Sequence, residues 1–597
     1  MRLKKPIVAI SAVGLLALAA CGGSSTNSGG GGTSSPAAST DTSQFGGGGT
    51  AGQGKDPTAK GPAAPIPGAV KGGTLTVLKA DTITTLDPTE SYYTDSASIL
   101  SGLVTRSLTQ YKWDAAKGEE ILVPDLATDL GTPNKTFTSW TFKLRSGIKF
   151  GNGQPVTPED IKFGIERSFD RTTFPGGATY SNDYFLNGDT YKGPYTSKGG
   201  SCGCVTVTGN SITIKMARPF PDMPYWGAFP AIGPIPPGKA SDPAKYKLAP
   251  WATGPYMWKP GSFTVGKKLT LIKNPYWDPN TDPARRQYID EYDFNFDADS
   301  SQTDQILLQD SGDGQTTITY NNVLSADYGT FVSQAPDRLV KGPNPCTFMQ
   351  YPDNRKITDV NIRRAIGLAY PYQDAWAAGG SIKGVTRIPA SNIMPPGIPG
   401  RVEYNPRPGY TAGDTYAAAA KALLKKSGHL GYTLEYAYLS DDPFSVAVKN
   451  VVTQAYKAAG FTPKPFATTS ANYATQVLQN PDWPGNVRGV GWCSDWPSGG
   501  SWFPPVFHST DVNGVGFGSN YAAFNKADKQ IDAVGTLPLA DQPKAWNAVD
   551  KLIQDKWYPV VVTGYGADAM ARGSKVNGMD NDPVFGMPTW KDMWLSK

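Results

Sequence analysis

The composition of the chain changes sharply near residue 70, and this change limits how much of the chain can fold. Residues 22–49 are mostly Gly, Ser, Thr and Ala, a composition that buries too little apolar surface to fold and is typical of a flexible tether. About 525 residues follow the tether, which is more than a single hydrophobic core supports. We therefore predict a disordered tether over residues 21–70 and two or three folded domains after it.

The N-terminus predicts an export signal. A positively charged start, MRLKK, precedes an apolar stretch over residues 7–20, which is too short to cross a bilayer comfortably. The end of that stretch, LAAC (18–21), resembles the lipobox of bacterial lipoproteins, in which the cysteine receives a lipid and becomes the mature N-terminus. The resemblance implies a signal peptide over residues 1–20 and a lipid anchor at Cys21 on the outer face of the cytoplasmic membrane. An ordinary signal peptide that precedes a cysteine is the alternative.

The charge and the histidine content exclude several classes of function. The formal net charge is +5, and three of the positive charges lie in the export signal, so the folded part lacks the basic footprint of a nucleic-acid-binding protein. Only two histidines are present, His429 and His508. Hydrolases of the Ser-His-Asp or Cys-His type and typical zinc enzymes need positioned histidines. We expect no metal and no cofactor, and we expect both histidines to be solvated or ordinary hydrogen-bonding side chains.

Strand and helix patterns alternate through both halves of the folded part. Alternating apolar residues predict strands, and apolar residues at helical spacing predict helices. Thr157 is a good N-cap, and the Pro158 and acidic residues that follow it favour a helix start. The alternation predicts an α/β fold. The predicted strands include 71–80, 268–277, 288–296 and 431–439, and the predicted helices include 359–370, 413–428 and 444–460.

Six stretches of the folded part share the motifs of one protein family. They are LVPDLATDL (122–130), the run from TFKLRSG to ERSFD (141–170), TGPYMWKPG (253–261), LTLIKNPYW (269–277), TDVNIRRAIGLAY (358–370) and GWCSDWP (491–497). Together they resemble the family 5 extracellular solute-binding proteins, which are the peptide- and nickel-type receptors of ABC importers. The stretches occur in the family's order and span most of residues 71–597, and the chain is most similar to the oligopeptide-binding members.

The resemblance implies a two-lobed, periplasmic-binding-protein-like fold (type II, cluster C) with an extra domain inserted in the first lobe. In that fold two α/β lobes close over a ligand about hinge strands. The implied boundaries are 71–95, 203–340 and 556–597 for the first lobe, 96–202 for the inserted domain and 341–555 for the second lobe.

The segment GWCSDWPS (491–498) is the implied centre of the binding site. In peptide-binding members of the family, an aspartate two residues after the cysteine pairs with the α-amino group of the peptide, and that position here is Asp495. A buried carboxylate needs a compensating cation, which a free amine supplies. An exposed carboxylate in a turn is the alternative interpretation.

Neighbours of Asp495 are expected to contact the same ligand. Gly491 permits close backbone approach, so that main-chain groups there can pair with a peptide as an added strand would. Trp492 and Trp496 would give rigid apolar walls with one donor each.

The opposite wall is expected in the stretch ESYYTDS. Ser91, Tyr92 and Tyr93 resemble the family there, with ordinary packing as the alternative for the tyrosines. Arg488 is a candidate partner for a peptide carboxylate.

Four cysteines remain after Cys21, and an even number in an exported chain suggests two disulfides with three possible pairings. Some family members resemble this chain in having one cysteine where the second lobe begins and another in the GWC motif. The resemblance therefore implies a Cys346–Cys493 bridge, which leaves Cys202 with Cys204. A C-x-C ring is tight, and two free thiols are the alternative for that pair.

The combined interpretation is a monomeric, non-enzymatic binding lipoprotein that captures oligopeptides and delivers them to the permease subunits of an ABC importer. The main alternative keeps the fold and changes the ligand to a nickel chelate, haem, an oligosaccharide or a signalling peptide, since family members differ in ligand. Scarce histidine disfavours direct metal ligation. An exported hydrolase, such as a glycosidase with two carboxylates, has no supporting residue spacing.

Overall fold

The computed structural model describes residues 54–83, 85–197, 200–511 and 519–597. The export signal and the lipid anchor expected at Cys21 lie outside these ranges. Within them, no helix combines the length and the apolar character that a membrane span requires. Two large sheets with helices packed against them confirm the two-lobed α/β fold.

The sheet of the first lobe has five strands and is built around Thr74–Lys79. Leu75 and Val77 are fully buried, because alternate side chains of this strand face the core of the lobe. The strand runs parallel to both of its neighbours. In spatial order the strands are Thr317–Thr319, Thr74–Lys79, Glu291–Phe296, Lys268–Lys273 and Tyr256–Trp258.

The sheet of the second lobe has six strands, and helices cover both of its faces. Met349 packs into one buried cluster, while the next residue, Gln350, accepts a hydrogen bond from Tyr456 on the other face. In spatial order the strands are Arg387–Ile388, Val561–Ala571, Leu339–Pro352, Val487–Cys493, Thr433–Leu439 and Thr462–Thr468. The helices on the Tyr456 face are Val360–Ala369, Tyr372–Ala378, Ala417–Lys426 and Pro443–Ala458. Those on the Met349 face are Phe503–Phe507, Asp528–Gly535 and Gln542–Leu552.

Two long strands, Leu339–Pro352 and Val561–Ala571, connect the lobes. They pair antiparallel, with a shift of register between Pro343 and Thr347. At the first-lobe end, Ala571 exchanges hydrogen bonds with the hydroxyl of Thr319 in the five-stranded sheet. At the other end both strands are interior members of the six-stranded sheet. Strands shared in this way are the elements about which two lobes rotate when they close.

A further group of strands forms most of the expected inserted domain. Its helix Pro158–Arg167 begins as predicted, because Thr157 and Asp160 form a reciprocal capping box. One sheet crosses the boundary expected at residue 203, so the three-part division of the chain stays a prediction. That sheet contains Thr132–Pro133, Ser139–Lys143, Ser211–Lys215 and Val205–Thr208, and a second sheet contains Gly54–Lys55, Glu119–Pro124 and Thr109–Asp114.

Residues 54–70 were expected to be disordered tether, but they lie along the folded part, which corrects that boundary. Gly54–Lys55 pairs in parallel with Ile121–Leu122. Further along, the carbonyl of Ala59 accepts a hydrogen bond from Arg145 at 3.0 Å. The composition does not reveal this docking, because it is made by main-chain groups that every residue type carries.

The remaining elements are short. The helices are Thr94–Ile99, Tyr180–Tyr184, Met223–Trp226, Pro243–Tyr246, Ser300–Gln309, Ser325–Gln334 and Ser470–Tyr473, with π-helical turns at Leu100–Val104, Ala474–Leu478 and Ile553–Trp557. The 3-10 turns are Pro230–Ile232, Lys239–Ser241, Pro279–Thr281, Gly312–Thr316, Pro336–Arg338, Gly499–Ser501, Ser509–Asp511 and Trp590–Asp592. Two small ribbons pair Val576–Asn577 with Trp594–Leu595 and Asn581–Asp582 with Met587–Pro588.

Candidate ligand-binding site

Asp495 lies between the lobes, two residues beyond the strand Val487–Cys493. Its Oδ2 atom accepts hydrogen bonds from the hydroxyl of Tyr92, at 2.9 Å, and from the hydroxyl of Tyr180. Tyr92 comes from the first lobe, and Tyr180 begins the short helix Tyr180–Tyr184. The structure therefore brings together two of the predicted site residues and adds Tyr180 to them.

The hydrogen bonds to the Asp495 carboxyl group come from uncharged hydroxyl donors. Burial raises its pKa to about 7, although the hydrogen bonds from Tyr180 and Tyr92 act to lower it. Among the described residues, no Lys, Arg or His forms an ion pair with it. Both tyrosines bond the same oxygen, which leaves Oδ1 for another donor. A cationic group of a ligand would supply the charge that the protein does not.

Trp496 does not line the cleft as expected, because it fills a socket on the opposite side. It is fully buried, its indole N–H donates to Asp222 at 2.8 Å, and its ring centroid lies 4.5 Å from that of Tyr180. Phe220 and Phe229 complete the socket at centroid distances of 6.1 and 6.3 Å. An indole enclosed in this way holds the two sides together and leaves no face for a ligand.

Gly491 and Trp492 lie on the strand that leads to Asp495. The indole N–H of Trp492 donates to the carbonyl of Ser501 at 2.9 Å, and its ring packs against the core of the second lobe. A Cβ atom at Gly491 would lie 3.0 Å from the ring of Phe348. Glycine is therefore needed here for a close approach within the sheet, in addition to any approach of a ligand.

The two remaining first-lobe residues differ in position. Tyr93 lies near Tyr521 of the second lobe, and burial together with this neighbour raises the pKa of Tyr93 to about 12. Ser91 is buried, and its hydroxyl donates to the carbonyl of Thr85 at 3.5 Å. Ser91 thus supports the turn before Tyr92 and does not face the cleft.

Arg488 is held inside the second lobe, and this corrects the expectation that it meets a ligand carboxylate. Its Nε donates to the carbonyl of Val477 at 2.9 Å, and one terminal nitrogen donates to the carbonyl of Asn480 at 2.9 Å. The other terminal nitrogen lies 3.3 Å from the carboxylate of Asp353. A buried guanidinium group with all three nitrogens bonded in this way supports the fold.

Tyr180 and Asp222 were not predicted as site residues. Their partners are 315 and 274 positions away in the sequence, and no spacing rule connects such distant residues. An aromatic residue in a short helix and an acidic residue before a proline-broken segment are also common in ordinary packing. No signal in the sequence alone would have selected them.

Both expected cysteine pairs lie at disulfide-bonding distance. Cys346 and Cys493 are directly opposite each other in the antiparallel ladder and are 147 residues apart in the sequence. Cys202 and Cys204 flank Gly203, whose φ of 64° is most easily adopted by glycine. The first pair joins the strand of the GWC motif to a strand that connects the lobes. Oxidation of the two pairs remains a prediction.

The histidines have ordinary partners. His429 bonds the carboxylate of Asp359 at 2.9 Å, and His508 lies 3.4 Å from Asp532. In the part of the chain that the structure describes, no cluster of three or more His, Cys, Asp or Glu residues is arranged to hold a metal ion.

Two α/β lobes joined by paired strands, with an ionisable side chain between them, define a two-lobed solute-binding protein. The model of the bacterial extracellular solute-binding proteins, family 5 (middle part), matches residues 122–514. The chain belongs to this family, which confirms the resemblance drawn from the sequence motifs.

Individual relatives agree with this assignment. The chain is 23% identical over 439 residues to the periplasmic oligopeptide-binding protein OppA of Salmonella typhimurium, covering 68% of this chain and 72% of OppA. It is 27% identical over 224 residues to the probable D,D-dipeptide-binding periplasmic protein DdpA of Escherichia coli, covering 36% of this chain and 39% of DdpA. The solved structure of clavulanic acid biosynthesis oligopeptide binding protein 2 superposes with a TM-score of 0.79 at 22% identity, covering 91% of this chain and 99% of that one. This last likeness supports the fold.

Proposed function

We propose that this protein captures oligopeptides between its lobes and delivers them unchanged to the membrane permease of an ABC importer. The observation that carries the proposal is the Asp495 carboxyl group, which has two hydroxyl donors and no cationic partner in the part of the chain that the structure describes. A peptide α-amino group is a compact cation with several N–H donors, and it matches such a carboxylate. The relatives OppA and DdpA are both named for peptide ligands.

The contacts between the lobes explain why binding and closure are coupled in this proposal. Tyr92 and Tyr180 reach Asp495 across the cleft, and Trp496 reaches Asp222 in the same way. A ligand ammonium group that bonds Asp495 stabilises this closed arrangement, since the complete site exists only when the lobes are together. Such a ligand shifts the population of molecules toward the closed form.

The test compares peptides that differ only at the amino terminus. The soluble domain is titrated calorimetrically with a free-amine peptide and with its N-acetylated form. We expect the acetylated peptide to bind about tenfold to a hundredfold more weakly, because it lacks the charge-assisted bond. Mass spectrometry of the recovered ligand should find it intact. Equal affinities for the two forms would refute the role of Asp495, and turnover would refute the role of the protein as a receptor.

The anchoring part of the proposal depends on the LAAC motif. A lipid on Cys21 would hold the protein on the outer face of the cytoplasmic membrane, since the tether itself has no membrane affinity. Cys21→Ser should therefore give a protein that is unprocessed or released to the medium. Retention of this variant in the membrane fraction after a high-salt wash would contradict lipid anchoring.

A further inference from the structure

One edge of the strand Val487–Cys493 is paired with a neighbouring described strand only at Val487. In an antiparallel ladder, alternate residues direct their N–H and C=O groups to one neighbour, and the residues between them direct theirs to the other side. Gly489 directs both groups away from its partner strand, because both are bonded by Tyr473 on that side. By the same alternation, Gly491 and Cys493 also direct theirs outward. Among the described residues, none bonds these two residues at that edge.

Tyr473 occupies the place that a neighbouring strand would take beside Gly489. Its hydroxyl donates to the carbonyl of Gly489 at 2.5 Å and accepts from the N–H of the same residue at 3.3 Å. The strand Thr433–Leu439 pairs with this edge only at Val487 and does not continue alongside it. Burial raises the pKa of Tyr473 to about 12, so the hydroxyl keeps its proton and remains a donor.

The geometry gives a register for a bound peptide, and this step rests on the proposed function. A peptide with its amino group at Asp495 that extends toward Gly489 runs antiparallel to the strand Val487–Cys493. Paired positions recur every second residue at about 3.4 Å per residue. Ligand residue 1 therefore lies beside Cys493, residue 3 lies beside Gly491, and residue 5 would meet Gly489.

We propose that Tyr473 ends the binding edge, so that only the first three or four residues of a bound peptide pair with the main chain of the protein. The N–H and C=O groups of Gly489 are already bonded by the Tyr473 hydroxyl, which occupies the position that a ligand residue would need. Gly489 is exposed, so a longer peptide leaves the edge there toward solvent. The substrate class is then short peptides with a free amino terminus, and residues after the fourth add no main-chain bonds.

A length series tests this limit on the native protein. Alanine peptides of two to six residues with free amino termini are titrated calorimetrically. We expect the affinity to rise by about tenfold from the dipeptide to the tetrapeptide, and to change by less than about twofold from the tetrapeptide to the hexapeptide. A steady rise through six residues would overturn the inference.

N-methylation of single ligand residues gives a second measurement that needs no variant. A methyl group on the nitrogen of residue 3 removes a donor at the paired edge, and we expect it to weaken binding by about tenfold. The same change at residue 5 should weaken binding by less than about twofold. Equal losses at residues 3 and 5 would show that pairing continues past Tyr473 and would overturn the proposal.

Variants of Tyr473 separate its hydroxyl from its ring. In Tyr473→Ala the hexapeptide should bind about fivefold more tightly than the tetrapeptide, because Gly489 becomes free to pair. Tyr473→Phe should show no such gain, since the ring still blocks the edge. Tyr432→Phe is the matched control, because its hydroxyl bonds the carbonyl of Lys356 at 3.4 Å elsewhere in the same lobe. The assignment would be overturned if Tyr432→Phe bound the hexapeptide more tightly than the tetrapeptide, or if a folded Tyr473→Ala did not.

The failures of the two proposals are distinguishable. If no free-amine peptide of any length binds, the proposed function is wrong. If free-amine peptides bind better than acetylated ones but their affinity does not level off with length, only the role of Tyr473 is wrong. If Tyr473→Ala does not fold, the length series and the N-methyl comparison on the native protein decide the question.

Discussion

The strand Val487–Cys493 has a charged residue near each end, Arg488 and Asp495, and the two are satisfied in different ways. The three guanidinium nitrogens of Arg488 are bonded within the second lobe, and one of them pairs with Asp353. Among the described residues, the partners of the Asp495 carboxyl group are hydroxyl groups that reach it from across the cleft. A charge that is fully paired inside its own lobe supports the fold, whereas one without a counter-ion is available to a ligand. Arg488 and Asp495 are only seven positions apart in the sequence, so their partners distinguish them better than their positions do.

The largest effect on stability is expected from the cysteine pair between these two ends. The predicted Cys346–Cys493 bridge would close a loop with a sequence separation of 147, and chain entropy assigns such a loop about 4–5 kcal/mol of stability at most. In urea unfolding, the free energy of unfolding of the double variant Cys346→Ala, Cys493→Ala should be lower by up to this amount. Cys202→Ala, Cys204→Ala is the control, since its very short loop should contribute much less. Equal losses in the two double variants would contradict this account of the first bridge.

Arg488→Met tests whether Arg488 supports the fold of the second lobe and not the binding of a ligand. The change leaves Asp353 with less compensation in a buried position, so the free energy of unfolding should fall by about 3 kcal/mol. Affinity for peptides should stay within about twofold of the native value. Arg355→Met, which removes a partly exposed partner of the same carboxylate, should cost less than about 1 kcal/mol. If Arg488→Met lowered the affinity for peptides with a free C-terminal carboxylate more than the affinity for amidated peptides, Arg488 would have to be a ligand-binding residue.

Asp495→Asn tests whether the carboxylate of Asp495 binds the amino group of the peptide. The amide still accepts the tyrosine hydrogen bonds but cannot pair with an ammonium group, so free-amine peptides should bind about tenfold to a hundredfold more weakly. Asp541→Asn, in the loop before helix Gln542–Leu552, is the matched control and should bind normally. If N-acetylated peptides lost as much affinity in Asp495→Asn, the carboxylate would act on the fold and not on the amine.

The stability of the same variant carries a pH signature. The raised pKa of Asp495, about 7 in the folded protein, gives a stabilising contribution that is present below its unfolded pKa of about 4 and is lost as the pH rises through about 7. The native protein should therefore lose stability relative to Asp495→Asn between about pH 4 and pH 8 in the absence of ligand. If the difference in the free energy of unfolding between the native protein and Asp495→Asn were the same at about pH 4 and at about pH 8, the raised pKa would be contradicted.

A smaller effect is expected at Tyr180. Tyr180→Phe removes one of the two hydrogen bonds to Asp495, so affinity for free-amine peptides should fall by about threefold to tenfold. The pKa of Asp495 should also rise, because this hydrogen bond favours the carboxylate. As the pH is lowered, the variant should therefore begin to lose affinity at a higher pH than the native protein does. Tyr184→Phe, at the end of the same short helix, is the control, and an identical pH profile for both variants would contradict the role of Tyr180.

Local signals in the sequence predicted much of the fold, and the resemblance to the family pointed to Asp495, which lies between the lobes. Thr157 caps its helix as predicted, and the helix predicted over residues 359–370 is present as Val360–Ala369. The roles predicted for Arg488 and Trp496 were wrong, because partners that are distant in the sequence determine where these side chains lie. Arg488 is neutralised by Asp353, which is 135 positions away, and Trp496 is enclosed by residues of the other side of the cleft. Neither short-range spacing nor composition reports such contacts, because they form only when distant segments of the chain have folded together.

The most direct test of the central claim is the number of protons released when a free-amine peptide binds. At about pH 6 the carboxyl of Asp495 is mostly protonated, since its pKa is about 7, while a peptide amino group with a pKa near 8 is charged. The ammonium group favours the carboxylate, so binding should release close to one proton at about pH 6. At about pH 8 the carboxyl is already mostly ionised and about half of the free amino groups must gain a proton, so binding should instead take up a fraction of a proton. Calorimetry in buffers of different ionisation enthalpy measures this number. The account predicts that Asp495→Asn abolishes the release, and it is contradicted if the native protein releases no proton or if the variant releases the same number.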